Sequence, residues 1–348
     1  MSIFKHSLLA VIIAASAGLP TFALDTAQDH IEKGEALLAH GKVDPAVDEF
    51  RAATRLEPDN AKAHHRLASA FAYKDDYEAA LMEAKRTTEL DPKWHLGWVL
   101  LGKIYANTGK TQQSLEAFQK AAQLKPTSFN THLDIGVTLA SMGNTDEALK
   151  AFKKAGELDP KDPRPHINMG TLLAQKGLYQ EAIKEEQEAI NLNKNIPEAY
   201  INLGNAYADA GQTEQAIDSF KQALKLSPNH SHAHTGLGWM LAKQGDYKGA
   251  ILEQRKALKV SPELSPAHRR LGTALAKTGD NAGAEKEFAL AVKCNPRDVT
   301  ARVEYADFLK ARGQIERARA EYSKALEINP DSAPAKEGLA GLNKGSVR

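Results

Sequence analysis

Proline marks a single period along this chain. Pro58, Pro92, Pro126, Pro160, Pro228, Pro262, Pro296 and Pro330 each follow an apolar run and stand 34 residues apart. The one double step, between Pro160 and Pro228, is filled in register by Lys194. A repeat of this length confines the chain to an architecture made by stacking one supersecondary unit on the next, because one such unit cannot bury its own apolar face. Proline lacks an N–H and clashes with the preceding helical turn, so it marks where a helix must stop.

With that proline set at position 32, nine units begin at Ala27, Ala61, His95, Phe129, Pro163, Pro197, Ser231, Ser265 and Val299. Position 8 is small throughout: Gly34, Ala68, Gly102, Gly136, Gly170, Gly204, Gly238, Gly272 and Ala306. Position 20 is alanine except for Ser114, and position 27 is alanine except for Thr87. Small residues at these places let two helices approach closely. Position 15 is glycine except for Asp75, and glycine can take the left-handed conformation that ends a first helix. Apolar pairs at positions 7 and 11, such as Leu203 with Tyr207 and Leu271 with Leu275, lie one turn apart on one helical face. Each unit is therefore predicted to be a helix-turn-helix.

The period and the small-residue pattern resemble the tetratricopeptide repeat family over residues 27–332. The resemblance implies an all-α, right-handed solenoid of nine units. Residues 333–348 continue the register for half a unit, with Leu339, Ala340 and Leu342 at apolar positions, and are predicted to form a capping helix and tail that Gly338 and Gly341 weaken.

Aromatic residues exchange places along the repeat. Position 24 carries Phe50, Phe118, Phe152, Phe220, Phe288 and Tyr322, whereas Ala84, Glu186 and Gln254 stand there in three units. Those three units carry Tyr77, Tyr179 and Tyr247 at position 17 instead. Positions 17 and 24 are about two turns apart and share a face. The expectation is one ring slot filled from either end, with Glu186 and Gln254 lending apolar stems to the core while their polar heads reach water.

Charge and composition exclude several functions. Lys and Arg number 45 against 44 Asp and Glu, a formal net charge of +1, and a nucleic-acid binder normally shows a basic excess. One cysteine, Cys294, cannot form an intramolecular disulfide or a cysteine-rich metal site, and its helix position suits a small core residue. No nucleotide-binding loop, nucleophile elbow or zinc-protease helix is present, so no catalytic residue, cofactor or metal is expected and the chain reads as a non-enzyme. Histidine recurs at position 4, as His30, His64, His132, His166, His234 and His268. One histidine per unit, at roughly 10 Å spacing between stacked helix pairs, is too sparse to share ions, and packing is the favoured reading over a metal or haem ladder. His230, His232 and His234 cluster without an accompanying carboxylate or cysteine at a recognised metal spacing.

Residues 1–23 have the form of an export signal: Lys5 and His6, an apolar run from Leu8 to Ala17, then Pro20 and a small-residue site ending at Ala23. The run is short for a bilayer span, which takes about 20 residues. A periplasmic or secreted chain is expected, with an uncleaved N-terminal anchor as the alternative. Removal of residues 1–23 leaves 44 basic and 44 acidic side chains.

In the family, the first helix of each unit lines a concave groove that holds a protein or peptide partner. Carried onto this sequence, the groove takes Asp134, Asn168 and Asn202 at position 6 and Asn205 at position 9, a short series of polar side chains suited to an extended backbone. Asp209, Arg66, Lys103, Arg269 and Arg270 give it uneven charge, with His65 counted among the early basic groups. Trp239 is either an aromatic anchor there or a packing residue. Position 5 reads Ile31, His65, Val99, Leu133, Ile167 and Ile201, which lacks the basic set with which one subfamily grips a C-terminal carboxylate. The expected function is a monomeric, non-catalytic scaffold for an extended polypeptide or partner protein. A glycan- or metal-binding envelope protein using the same groove is the alternative.

Overall fold

The computed structural model describes residues 25–344, all of whose regular elements are α-helices. The export signal expected at residues 1–23 lies outside the described residues. Two compact units divide the chain between Met142 and Gly143, at the turn inside the fourth repeat.

In the first unit, α1 (Ala27–Ala39) and α2 (Val43–Leu56), α3 (Ala61–Tyr73) and α4 (Tyr77–Leu90), and α5 (His95–Asn107) and α6 (Thr111–Leu124) form three hairpins, followed by α7 (Phe129–Ser141). The second unit opens with α8 (Thr145–Leu158). It continues as five hairpins: α9 (Arg164–Gln175) with α10 (Tyr179–Leu192), α11 (Pro197–Asp209) with α12 (Thr213–Leu226), α13 (Ser231–Lys243) with α14 (Tyr247–Val260), α15 (Ser265–Lys277) with α16 (Asn281–Cys294), and α17 (Val299–Ala311) with α18 (Ile315–Ile328). The last helix is α19 (Ala333–Lys344). Among the described residues no helix is long and apolar enough to cross a membrane.

The turns follow from position 15. Its glycines have φ between 70° and 89°, a left-handed region closed to most side chains, and Asp75 adopts it at φ 60°. In the first repeat the turn closes with Gly41 N–H donating to the Leu38 carbonyl and Lys42 N–H to the Leu37 carbonyl, both at 2.9 Å. These bonds satisfy carbonyls that the helix end would otherwise leave unpaired. Between repeats, side chains at the next helix start take over, as where Asn60 accepts from Ala63 N–H and Asp298 from Ala301 N–H, each at 3.0 Å.

Within each hairpin the position-24 side chain lies against the position-8 residue. A Cβ added to Gly34, Gly102 or Gly204 would stand 2.5–2.8 Å from the ring of Phe50, Phe118 or Phe220. The Phe220 ring is also faced by Gly236 at position 6 of the following repeat. Position-20 alanines are fully enclosed, and Ser114 is tolerated there because its Oγ donates to the Gly102 carbonyl at 2.9 Å. At the far end Gly338 of α19 receives the Tyr322 ring where a Cβ would sit. That glycine, expected only to weaken the helix, thus permits the closing contact.

The expected exchange of rings between positions 17 and 24 does not occur. Tyr77, Tyr179 and Tyr247 are half-buried, whereas Ala84, Glu186 and Gln254 are themselves enclosed at position 24. Glu186 occupies it against Gly170 and Gln254 against Gly238, at 1% and 0% exposure. Neither polar head reaches water, because position 24 points into the hairpin rather than along its edge.

Candidate partner-binding face

The position-4 side chains are structural ties. His30, His64, His166, His234 and His268 each place Nδ1 2.5–2.7 Å from the carboxylate of Glu49, Glu83, Glu185, Glu253 and Glu287, nineteen residues on. Nε2 of His64, His132, His234 and His268 meets the carbonyl of the preceding period proline at 2.8–2.9 Å. Trp98 donates to the Pro92 carbonyl at 3.0 Å in the same way. Arg302 makes both contacts, to the Pro296 carbonyl and to Glu321. A carbonyl and a carboxylate only accept, so the contacts at His64 and His268 favour the imidazolium form. The Glu83 hydrogen bond raises the His64 pKa against opposing burial, and the Pro58 carbonyl adds to it. At His268 burial pulls the pKa down, but the Glu287 hydrogen bond and the Pro262 carbonyl outweigh it. Among the described residues no group of three or more His, Cys, Asp and Glu side chains is placed to hold a metal ion.

In each unit the first helices form the inner layer: α1 touches α3 and α3 touches α5, and α9, α11, α13, α15, α17 and α19 touch in series. Across this layer runs a recurring pair, position 9 of one repeat to position 6 of the next. Arg66 Nε donates to Glu35 at 2.6 Å, and Lys103 lies 3.9 Å from Asp134. Asn202 Nδ2 donates to Thr171 Oγ1 at 3.2 Å, and Thr273 Oγ1 to Glu304 at 3.3 Å. Arg269 also binds Glu304. Several expected groove residues therefore hold one another. Asn168 turns back to the Arg164 carbonyl of its own helix at 3.0 Å. His65, counted as basic from sequence, is held neutral: burial, with Arg66 beside it, lowers its pKa to about 4.

Lys243 and Arg270 both lie over the Trp239 ring, 4.4 and 4.5 Å from its centroid, so the indole is engaged from within the chain. Arg270 also donates to the Thr235 carbonyl, and burial lowers its pKa to about 10.

Asn205 and Asp209 are differently placed. Both are exposed and face a pocket of about 230 Å³ between α9 and α11, whose wall is completed by Gly170, Thr171, Ala174, Gln175 and Asn202. Behind Gly170 stands the Glu186 carboxyl, with neither oxygen in a hydrogen bond of normal geometry. Burial raises its pKa to about 8, opposed by the neighbouring Asn202 amide and assisted by the charge of Glu185. Sequence reasoning picked the pocket's polar rim and missed its buried carboxyl. The signal was present in the sequence: a glutamate at a position occupied by rings in six of nine repeats.

In each unit, all-helical hairpins tied to one another between neighbouring first helices make up a repeat array. The chain belongs to the tetratricopeptide repeat family. The model of the Cilia and flagella-associated protein 70 C-terminal domain matches residues 74–260, and a tetratricopeptide repeat model matches residues 31–93 and 269–333. No curated protein matches the chain. Among solved structures, a chain of the APC/C hetero-tetramer Cut9-Hcn1 superposes with a TM-score of 0.61 at 17% identity, covering 90% of this chain. This chain spans 63% of that one. A tetratricopeptide repeat protein from Parabacteroides merdae gives 0.57 at 18% identity, covering 72% of this chain and 98% of its own. Pseudomonas aeruginosa pilF gives 0.52 at 17%, covering 61% and 97%. These likenesses share the fold. Proteins of this repeat family generally mediate protein–protein interaction and are generally non-catalytic.

Proposed function

We propose that this chain is a non-catalytic scaffold that holds an extended segment of a partner protein along the first helices of its second unit. The observation that carries the reading is the α9–α11 pocket, where Asn205 and Asp209 face solvent while their neighbours on the same layer are tied to one another. Amide and carboxylate groups left unpaired on a rigid helical surface can bond a peptide backbone without first breaking internal bonds. The composition of residues 1–23 supports an exported chain acting in the cell envelope or outside it, and sequencing the N-terminus of the protein recovered from cells tests that point.

The binding test compares capture of a partner by the wild-type chain with capture by a variant carrying Asn205→Ala and Asp209→Ala. Both side chains are exposed, so the variant keeps its fold, and helical circular dichroism checks this. A partner held by the wild type and lost by the variant supports the reading. Equal capture by both moves the site elsewhere.

A further inference from the structure

The α9–α11 pocket has a chemistry beyond that of a general polypeptide groove. Its lining contains the Asp209 carboxylate and no basic side chain. Behind the lining, the Glu186 carboxyl occupies the space into which a Gly170 Cβ would project, its Oε1 2.6 Å from that point. Glu186 is 1% exposed, and neither of its oxygens makes a hydrogen bond of normal geometry, although the Asn202 amide lies close enough to act on it. Leaving such a group unpaired costs stability, so its presence at a position suited to a ring calls for a reason. Gln254, in the matching place in α14, at least donates to the Thr235 carbonyl at 3.1 Å. No nearby positive charge is free to pair with Glu186. Glu185 is engaged by His166, and Arg270, whose charge is felt at Asp209, is committed to Thr235 and Trp239.

Resting on the proposed groove function, we propose that this pocket seats a basic side chain of the bound polypeptide, paired with Asp209 at the rim and backed by the Glu186 carboxyl. The ammonium or guanidinium donates to the side-chain oxygens of Asn202 and Asn205, and the buried carboxyl adds attraction in a poorly screened setting. Arrival of the cation favours the ionised carboxylate. Glu186, largely protonated at neutral pH when the pocket is free, then gives up its proton to solvent, so binding and proton release are coupled.

The test uses Nα-acetyl-lysine methylamide as the probe, with its Nε-acetylated form as the uncharged control. Each is titrated into the full chain while the Asn202 and Asn205 side-chain amides and the Glu186 carboxyl carbon are followed by NMR. The charged probe is expected to saturate the amide shifts at a concentration at least about tenfold below the control and to move the Glu186 titration to lower pH. Glu186→Gln and Asp209→Asn should each reduce that preference several-fold. Glu186→Gln is expected to fold, since Gln254 fills the equivalent slot, and a thermal melt checks this. Equal response to both probes overturns the basic-side-chain assignment while leaving a peptide groove in place. So does an unchanged preference in folded Glu186→Gln. No response to either probe, together with equal partner capture by the Asn205/Asp209 variant, overturns both readings.

Discussion

Adjacent hairpins of the second unit solve the same packing problem in opposite ways. In α12 the Phe220 ring fills the space left by two glycines, Gly204 on its own hairpin and Gly236 on the next. In α10 the corresponding side chain is Glu186, set against Gly170, with Asn202 where the other repeat has Gly236. The backbone frame is shared, since α10 and α12 have the same length and their partner helices the same small residue at position 8. What differs is the use of the slot. A ring fills the slot with apolar contacts, whereas Glu186 fills it with an enclosed carboxyl set behind Gly170 of the pocket wall.

The largest effect is expected at the ring. Phe220→Ala should lower stability by about 3–5 kcal/mol, read from urea unfolding, because removing a buried aromatic leaves a cavity between two glycines that cannot collapse to fill it. An effect below about 1 kcal/mol would show that the ring does not carry the hairpin. Glu186→Phe should shift stability the other way, by about 1–4 kcal/mol, since replacing a buried ionisable group with a packed apolar one usually stabilises. The same site gives a pH signature. The folded pKa of Glu186 is raised to about 8, above its ordinary value, so its contribution is fully present below pH 4.5 and is lost as pH rises through 8. The stability difference between wild type and Glu186→Gln should therefore widen against the wild type over that interval, and a constant difference would refute the shift.

Smaller effects sharpen the contrast. Gly204→Ala places a methyl group 2.8 Å from the Phe220 ring and should cost about 1–3 kcal/mol. Gly170→Ala meets only the flexible end of Glu186 and should cost less, so a thermal melt ranking the two the other way would mean the slots are not equivalent. The smallest effects belong to the histidines. NMR titration should find His64 and His268 above 6.5 and His65 near 4. The signs are opposite. The His64 and His268 ties are fully formed in acid and are lost as pH rises through their raised pKa values. The contribution of neutral His65 is present above 6.5 and is lost as pH falls toward 4.

The helical stack was legible in the sequence because helix ends are set by local chemistry: proline at position 32 and a left-handed residue at position 15 act through the backbone alone. Side-chain direction was less legible. Glu186 and Gln254 were expected to extend their heads to water, an inference from the length of the chains rather than from the position, which points at the facing glycine. The position-4 ties were also within reach. Glutamate stands at position 23 beside His30, His64, His166, His234, His268 and Arg302, and is replaced by Ala117 and Ser219 where position 4 is Trp98 or Tyr200. His132, opposite Ala151, departs from the pattern. The groove residues were picked as polar side chains of first helices, and several of them, such as Arg66, Lys103 and Asn202, first bind a neighbour in the adjacent repeat. Pairing between positions 9 and 6 depends on how one repeat sits on the next, which a pattern within one repeat does not reveal.

The bond from a position-4 side chain to the preceding proline carbonyl fastens six of the loops between repeats to the repeat that follows, one junction at a time. A chain held this way responds to a pull at its ends as a row of separate latches rather than as one clasp. One repeat, drawn out, spans about 110–120 Å of extended backbone.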